Sequence, residues 1–263
     1  NEPAEHLPVI PDGAADWMGR DGWFSVNDSQ TLENFRELFD GVRDSQLGEP
    51  AGYGRIEFAY HQMATAGGIE MTPCRLLEES DRAHFMTRRF DRLAGNRKLH
   101  LQSLCAVGHF DFNAAGATAY EQAFQVMREL RLDYPAAEQQ FRRTVFNLAA
   151  RNQDDHTKNI AFLMSPDGEW SLSPAFDVTY AYNPAGDWTS RHQMTLNGKR
   201  DGFRREDLLT VADEMSIKKA KDIIAEVGEA VVRIGVNERA EFRVIPPSYL
   251  RLTVDGLDES QSG

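Results

Sequence analysis

Apolar residues recur at intervals of three and four positions in several parts of the chain, a pattern typical of helices that bury one face. We predict helices over 55–66, 118–131, 135–151, 204–215 and 217–233. The clearest stripes consist of Ile56, Ala59, Tyr60 and Met63 in the first helix and Phe141, Val145 and Leu148 in the third.

Turn-forming and capping residues indicate where three of these helices begin or end. Gly67 and Gly68 end the first, because glycine adopts the left-handed conformation common after a helix. The sequence Thr118-x-x-Glu121 is a capping box that predicts the start of the second. Pro135 suits the first turn of the third, where no backbone N–H is needed.

The strand pattern appears between these helices. The segments CRLLEE (74–79) and AHFMTRRF (83–90) predict two strands around a turn at Ser80–Asp81. Before residue 40 the pattern is weak and allows only a short helix over 27–38. We therefore predict an α+β chain in which residues 1–92 form a small mixed part and residues 93–263 a larger, mainly helical part.

A second strand–turn–strand pattern follows residue 159, in IAFLM, SPDG and EWSLSPAFD. If residues 165–168 form a four-residue loop, Met164 pairs with Glu169 and Asn159 falls opposite Pro174. Asp177 then lies within roughly 10 Å of that point, given the rise of a strand.

This hairpin directly follows the stretch RNQDDHTKN, residues 151–159. Local geometry alone therefore predicts that Asp154, Asn159 and Asp177 meet at the mouth of the hairpin. Mg²⁺ prefers hard oxygen ligands and often takes only one or two from protein, which Asn159 and Asp177 can supply. Asp154 is then available to orient or deprotonate a hydroxyl group, and Lys158 can offset charge on a moving phosphoryl group, as in kinases that carry D-x-x-x-x-N.

Structural interpretations of the same residues stay open. Aspartates at the end of a helix are often caps or parts of a solvated turn, and D-x-x-x-x-N alone is a weak signal. His156 has no second His or Cys near it in sequence, which favours a packing role over metal ligation. The Gly-rich stretch GEPAGYG (48–54) lacks the P-loop pattern and is interpreted as a connection rather than a phosphate cradle.

Composition narrows the possible classes of function. The formal charge of −12 disfavours direct non-specific binding to nucleic acid. No stretch is apolar and long enough to cross a membrane, and the first residues carry no export signal. Cys74 and Cys105 match no metal-site spacing, and two lone cysteines suit core positions in the reducing cytoplasm, the predicted location.

The sequence around the hairpin resembles the HipA family of bacterial Ser/Thr kinases, which are toxins of type II toxin–antitoxin pairs. The resemblance rests on RNQDDHTKNIAFLM and LSPAFDVTYAY. It continues in GYGRIEFAYHQMATAGGI, HFMTRRFDR, LHLQSLCAVGHFDF and SRHQMTLNGKRDGF, and covers roughly residues 39–233 in the right order.

The resemblance implies a bilobal, protein-kinase-like fold with an incomplete N-terminal lobe, and an enzyme that uses ATP and Mg²⁺. It implies that Asp154 is the catalytic base and that Asn159 and Asp177 bind the metal and the nucleotide. His156 and Lys158 would be supporting residues of the catalytic loop.

The resemblance also implies nucleotide contacts outside this loop. Glu57 would match the glutamate that pairs with the ATP-contacting lysine. The stretch around Arg88, Phe90 and Asp91 would be the hinge along the adenine and ribose, although Phe90 also suits plain core packing. Arg88 on sequence alone suits the surface.

The N-terminal part departs from the family pattern in two places. The phosphate loop that reads like G-G-A-x-P-K is not found, and Leu38 stands in RELFDGV where the family has lysine. Glu57 would then lack its ion-pair partner unless Arg36 or Arg43 replaces it.

The implied partners are a HipB-like helix-turn-helix antitoxin, through which DNA would mainly be contacted, and a protein substrate such as an aminoacyl-tRNA synthetase. Two alternatives stay open. One is a catalytically impaired HipA-like fragment that only binds its antitoxin, and the other is a small-molecule phosphotransferase of the aminoglycoside-kinase kind.

Overall fold

The structure, a computed structural model, describes residues 23–24, 53–79, 82–94 and 97–235 of the 263-residue chain. Its helices are α1 (Tyr53–Ala66), α2 (Leu104–Gly108), α3 (Tyr120–Glu129), α4 (Tyr134–Ala149), α5 (Arg205–Met215) and α6 (Ala220–Gly235). Its strands are β1 (Trp23–Phe24), β2 (Cys74–Glu79), β3 (Arg82–Arg88), β4 (Arg92–Leu93), β5 (Arg97–Lys98), β6 (His100–Ser103), β7 (Ala161–Met164) and β8 (Trp170–Leu172).

The N-terminal sheet is antiparallel and has the order β1–β3–β2. The two predicted strands are present, and Leu76 pairs with Phe85 at the middle of the ladder. Helix α1 packs on this sheet so closely that a Cβ on Gly54 would lie 2.1 Å from the carbonyl oxygen of Ala83. A residue larger than glycine at position 54 would therefore push the helix away from the sheet.

A second antiparallel sheet contains the hairpin after residue 159, in the order β6–β7–β8. The predicted register is wrong by one position, because Met164 pairs with Trp170 and not with Glu169. The amide of Ser165 donates to the carbonyl of Glu169, so the turn contains one residue more than expected. Strand β6, which pairs with β7, was not predicted from the sequence.

One hydrophobic core joins α1 to the C-terminal helices. Tyr60 and Met63 of α1 are fully buried in it, and the Tyr60 hydroxyl donates to the carbonyl of Ala150 at the end of α4. Arg142 of α4 donates to the carbonyl of Gly67 and forms an ion pair with Glu226 of α6. The end of α4, which leads into RNQDDHTKN, is therefore fixed from several sides.

The helix boundaries agree with the sequence prediction to within a few residues, with two corrections. Helix α3 is capped by Ala119, whose amide donates to the side chain of Gln122, so the predicted Thr118–Glu121 capping box is wrong by one position. Helix α6 begins at Ala220 instead of residue 217. The predicted helix over 27–38 lies outside the described residues.

Cys74 and Cys105 are free thiols that are half-buried, and not full core residues as expected. Burial raises the pKa of Cys74 to about 11, a hydrogen bond with Thr87 opposes this rise, and the carboxylate of Glu57 adds to it. Within the described ranges, no helix combines the length and apolar character that crossing a bilayer requires.

Candidate active site

The loop at residues 151–159 begins where α4 ends. Arg151 adopts the left-handed conformation with a φ of 53°, which turns the chain out of the helix. The amide of Asn159 donates to the carbonyl of His156, and its side-chain Nδ2 donates to the carbonyl of Asp154 at 2.9 Å. Asn159 therefore closes the loop on itself and holds the backbone of Asp154.

Helix α2 fixes the same loop from its outer side. The amides of Leu104 and Cys105, at the N-terminus of α2, donate to the carbonyls of Ile160 and Thr157. The first N–H groups of a helix have no partner within the helix, so these bonds satisfy them while anchoring the loop.

Asp177 follows the hairpin and is positioned by the residues just before it. The amide of Ala175 donates to the carbonyl of Glu70 at 2.8 Å, and the ring of Phe176 packs on Phe90 at a centroid distance of 5.6 Å. Asp177 has a φ of 54°, an uncommon conformation for a residue with a side chain. Strained backbone of this kind clusters at functional sites.

Asp154, Asn159 and Asp177 lie close enough to influence one another, as the hairpin geometry predicted. Burial raises the pKa of Asp177, and the Asp154 carboxylate raises it further. His156, a hydrogen bond from Asn159, and Lys158 oppose this rise only in part. Asp177 is therefore a half-buried carboxylate, and the described residues place little positive charge around it.

Glu57 of α1 extends this acidic group. Burial raises the pKa of Glu57 to about 8, the Asp177 carboxylate adds to the rise, and no cation of the described residues offsets it. The predicted ion pair of Glu57 cannot be followed further, because its candidate partners lie outside the described residues. These are Arg36 and Arg43, together with Leu38 at the expected lysine position. Asp177 acts on Glu57 and is acted on by Asp154, and within the described part of the chain the raised pKa values of Glu57 and Asp177 are not fully offset, so we call these three acids the uncompensated acidic cluster.

His156 and Lys158 flank this cluster. His156 Nε2 lies 3.7 Å from Asp154 Oδ1. Lys158 is exposed, and its Nζ lies 4.0 Å from the ring centroid of Phe112, a cation–π contact that holds the ammonium beside the loop.

The predicted hinge residues occupy different environments. Phe90 packs on Phe176 and so lies beside Asp177. Asp91 is buried and accepts two hydrogen bonds from Arg89 and one from Arg92, and these arginines hold its pKa below the usual range despite its burial. Arg88 is exposed at the end of β3. The carboxylate of Asp91 is thus already engaged by protein groups.

Comparison with known protein families identifies the family of this chain. The family model of the HipA-like C-terminal domain matches residues 33–234, which is most of the chain. The chain belongs to this family. The resemblance found in the sequence is thereby confirmed, and no curated protein matches the chain.

The chain is also similar to solved structures. A chain of the complex of HipA, HipB and operator DNA from Shewanella oneidensis MR-1 matches with a TM-score of 0.61 at 16% identity, over 80% of this chain and 56% of that chain. The Helicobacter pylori proinflammatory kinase CtkA matches with a TM-score of 0.46 at 12% identity, over 80% of this chain and 83% of that chain. The HipA likeness confirms the predicted α+β, kinase-like fold, and this chain spans little more than half the length of the HipA chain.

The oxygen groups of this HipA-like domain fit a hard divalent cation with few protein ligands. Among residues 53–79, 82–94 and 97–235, no three His, Cys, Asp or Glu side chains are grouped as a protein-only metal site requires. A Mg²⁺ site differs from a protein-only site because the ion commonly takes one or two protein oxygens and leaves its other positions to phosphate and water. The side chains of Asn159 and Asp177 meet that requirement, and a cation there would remove the charge imbalance around Asp177.

Sequence reasoning missed a second polar group beneath the loop of this HipA-like domain. The carboxylate of Asp155, the neighbour of Asp154, is buried and accepts hydrogen bonds from Tyr120, His192 and the amide of Gln193. We call Asp155, Tyr120 and His192 the Asp155 network. The only local signal was the doubled aspartate, and nothing in the spacing of Tyr120 or His192 pointed to it.

Proposed function

We propose that this HipA-like domain transfers the γ-phosphoryl group of ATP to a serine or threonine hydroxyl of a protein. The observation that carries the proposal is the convergence of Asp154, Asn159 and Asp177 at one hairpin, with Asp177 short of positive charge. These are the groups that phosphoryl transfer needs, because its catalysis consists mostly of positioning and charge stabilisation.

In the proposed step the hydroxyl oxygen of the substrate forms a bond to the γ-phosphorus. The bond from that phosphorus to the β–γ bridging oxygen breaks, and ADP leaves with the electron pair. The hydroxyl proton passes to the carboxylate of Asp154, whose side chain is 44% exposed and can reach a bound protein. Lys158, held beside the loop by Phe112, offsets negative charge on the transferred group.

Asn159 and Asp177 would hold Mg²⁺ in this site. The ion supplies charge that neutralises the phosphate oxygens. The Asp177 carboxylate adds to the raised pKa of Glu57, which supports a position for Glu57 near the proposed Mg²⁺ ligand. Phe90, on Phe176, would line the nucleotide from the hinge, and the backbone near Arg88 and Asp91 would contact adenine and ribose.

We also propose that the protein is the toxin of a type II toxin–antitoxin pair in the cytoplasm. The HipA chain that shares its fold was solved with HipB and operator DNA. A HipB-like helix-turn-helix antitoxin is therefore the proposed partner, and it would supply most DNA contacts because this chain carries a formal charge of −12. An aminoacyl-tRNA synthetase is the proposed class of substrate.

The test is transfer of radiolabelled phosphate from ATP, with and without Mg²⁺, to the protein itself and to a panel of aminoacyl-tRNA synthetases. We expect label with the wild-type chain and its loss with Asp154→Asn and with Asp177→Ala. Asp167→Asn is a matched control, because Asp167 is exposed in the turn of the same hairpin.

Equal labelling by wild type, Asp154→Asn and Asp177→Ala would contradict the assignment of the site. Label on an aminoglycoside instead of any protein would replace the protein kinase with a small-molecule phosphotransferase.

A second candidate function is antitoxin binding without catalysis. It is favoured by Glu57, whose pKa is raised to about 8 in the absence of a nearby described cation, and by Leu38 at the expected lysine position. This candidate predicts no label on any substrate, no change in melting temperature with ATP and Mg²⁺, and retained binding of a HipB-like antitoxin.

A further inference from the structure

Two neighbouring aspartates of the loop have opposite surroundings. The side chain of Asp154 is 44% exposed, whereas that of Asp155 is 1% exposed. One carboxylate therefore reaches solvent while its neighbour is enclosed by the protein. Fixing Asp155 inside the protein therefore determines the direction in which Asp154 points.

Asp155 is held by groups from two distant parts of the chain. Its Oδ2 accepts from the Tyr120 hydroxyl at 2.6 Å and from His192 Nδ1 at 2.8 Å, and its Oδ1 accepts from the amide of Gln193 at 2.7 Å. Burial alone would raise the pKa of Asp155, but the charge of His192 and these three bonds lower it. Asp155 is thus ionised, and an ionised carboxylate only accepts, so the proton on this edge of His192 lies on Nδ1.

The partners of Asp155 are themselves fixed. The amide of His192 donates to the carbonyl of Arg200, and Arg200 Nε donates to the carbonyl of His192 at 2.6 Å. The imidazole of His192 packs edge-on against Phe203. Neither side chain of the His192–Asp155 pair is more than 1% exposed. The carboxylate therefore has little freedom to change its partners.

The hydrogen bonds continue from Tyr120 back to the start of the loop. The Tyr120 hydroxyl accepts from Asn147 Nδ2 at 3.0 Å, and Asn147 Oδ1 accepts from Asn152 Nδ2 at 3.0 Å. The chain of bonds thus runs from Asn152 through Asn147, Tyr120 and Asp155 to His192. It spans both sides of Asp154, and buried networks of this kind rigidify the groups they join.

A buried ion pair is a poor way to gain stability, because removing both charges from water costs much of what their attraction returns. An apolar side chain would fill the same space. The pair instead fixes the orientation of the Asp155 carboxylate, because hydrogen bonds are directional and apolar contacts are not.

We propose that Asp155, held by Tyr120 and His192, is a positioning residue that orients Asp154 towards the substrate hydroxyl. This inference rests on the proposed function, in which Asp154 accepts the proton. Displacement of a reacting group by about 1 Å commonly costs about 100-fold in rate.

The test compares Tyr120→Phe and Asp155→Asn with the wild-type chain. Tyr120→Phe removes one hydroxyl and keeps the ring that fills the core. We expect kcat to fall at least about tenfold in Tyr120→Phe and about 100-fold in Asp155→Asn, with the KM for ATP changed less than about threefold. We also expect faster amide hydrogen exchange at residues 152–159 in both variants, while exchange in α6 stays at the wild-type rate. The proton on His192 Nδ1 should move upfield in the NMR spectrum of Asp155→Asn.

Wild-type kcat and wild-type loop exchange in Tyr120→Phe would overturn the inference. So would a fall in kcat that only follows the loss of folded protein, measured by thermal melting of the same samples. If Asp155→Asn does not fold, Tyr120→Phe decides the question. If the wild-type chain transfers no phosphate, the proposed function fails, and hydrogen exchange still decides whether Asp155 orders the loop.

Discussion

Two groups of acidic residues lie at the same loop and differ in how their charge is met. In the Asp155 network, one carboxylate has three hydrogen-bond donors, and its pKa is lowered. In the uncompensated acidic cluster, burial and the Asp154 carboxylate raise the pKa of Asp177, and burial and the Asp177 carboxylate raise the pKa of Glu57.

The difference separates architecture from binding. A buried charge whose partners are all supplied by the chain is complete in the folded protein. A buried charge without such partners is costly, and natural proteins tolerate that cost mainly at sites where a ligand removes it. We therefore assign the Asp155 network to the architecture of the loop, and the uncompensated acidic cluster to the proposed site for a cation and phosphate.

The largest contrast is expected from Asp177→Asn. Phosphoryl transfer should fall by about 10²–10³-fold, because the proposed carboxylate ligand of Mg²⁺ is lost and with it charge stabilisation of the phosphate oxygens. The free energy of unfolding in buffer free of divalent cations should not fall, since the substitution removes a carboxylate that faces like charges. Labelling assays and urea denaturation of one preparation measure both, and a clear loss of stability would show that Asp177 is structural.

His192→Leu should have the opposite effect on stability. It leaves Asp155 buried without its cation, so we expect a loss of about 3 kcal/mol in the free energy of unfolding. Because the folded pKa of Asp155 is lowered, its stabilising effect is present above about pH 4 and is lost as the pH falls through the folded pKa. The gap between wild type and variant should therefore narrow in acid.

His100→Leu is the control for this substitution, because His100 is exposed on β6 and its replacement should change stability by less than about 0.5 kcal/mol. Equal losses in the free energy of unfolding of the two variants would contradict the inference that His192 stabilises the fold through its hydrogen bond to Asp155.

Glu57→Gln tests the uncompensated acidic cluster by pH. Unfolded Glu57 releases its proton near pH 4.3, and folded Glu57 releases it at about 8. Between these values only the folded form holds the proton, so wild-type stability should decline as the pH rises from about 5 to 8. Glutamine does not titrate, so Glu57→Gln should lack this decline and should be more stable than the wild-type chain at pH 9. The free energy of unfolding is measured against pH without divalent cations. Parallel curves for the two proteins would contradict a raised pKa of Glu57 in the folded protein.

The smallest effect is expected from Phe112→Leu. Loss of a cation–π contact at an exposed site costs about 0.5–1 kcal/mol, so phosphoryl transfer should fall by no more than about fivefold. Phe112→Tyr keeps the aromatic ring and should retain wild-type transfer. A fall of more than 100-fold in Phe112→Leu alone would mean that Phe112 contacts the substrate directly.

The elements that repeat a local pattern could be predicted from the chain. Helix α4 follows from Phe141, Val145 and Leu148 on one stripe and from Pro135 in its first turn, all as found. The strands β2 and β3 were predicted from two short segments on either side of a turn at Ser80–Asp81. The register of the β7–β8 hairpin was missed by one residue because turn length depends on the bond between Ser165 and Glu169, which no apolar pattern encodes.

The candidate site divides in the same way. Asp154, Asn159 and Asp177 could be placed together because they lie within one hairpin, where strand geometry limits their separation. Their roles, like those of His156 and Lys158, stay predictions. The predicted division of the chain at residue 92 stays a prediction as well.

The sequence by itself determined the family, most of the helices, and the meeting of Asp154, Asn159 and Asp177 at one hairpin. Those features depend on short separations, over which backbone geometry leaves few arrangements. Only the tertiary structure decided that Asp155 is anchored by Tyr120 and His192, which are 35 and 37 residues away, and that the Asp177 carboxylate adds to the raised pKa of Glu57 in α1. Such contacts depend on how helices and sheets pack around one core, and no local periodicity records which distant side chains will meet there.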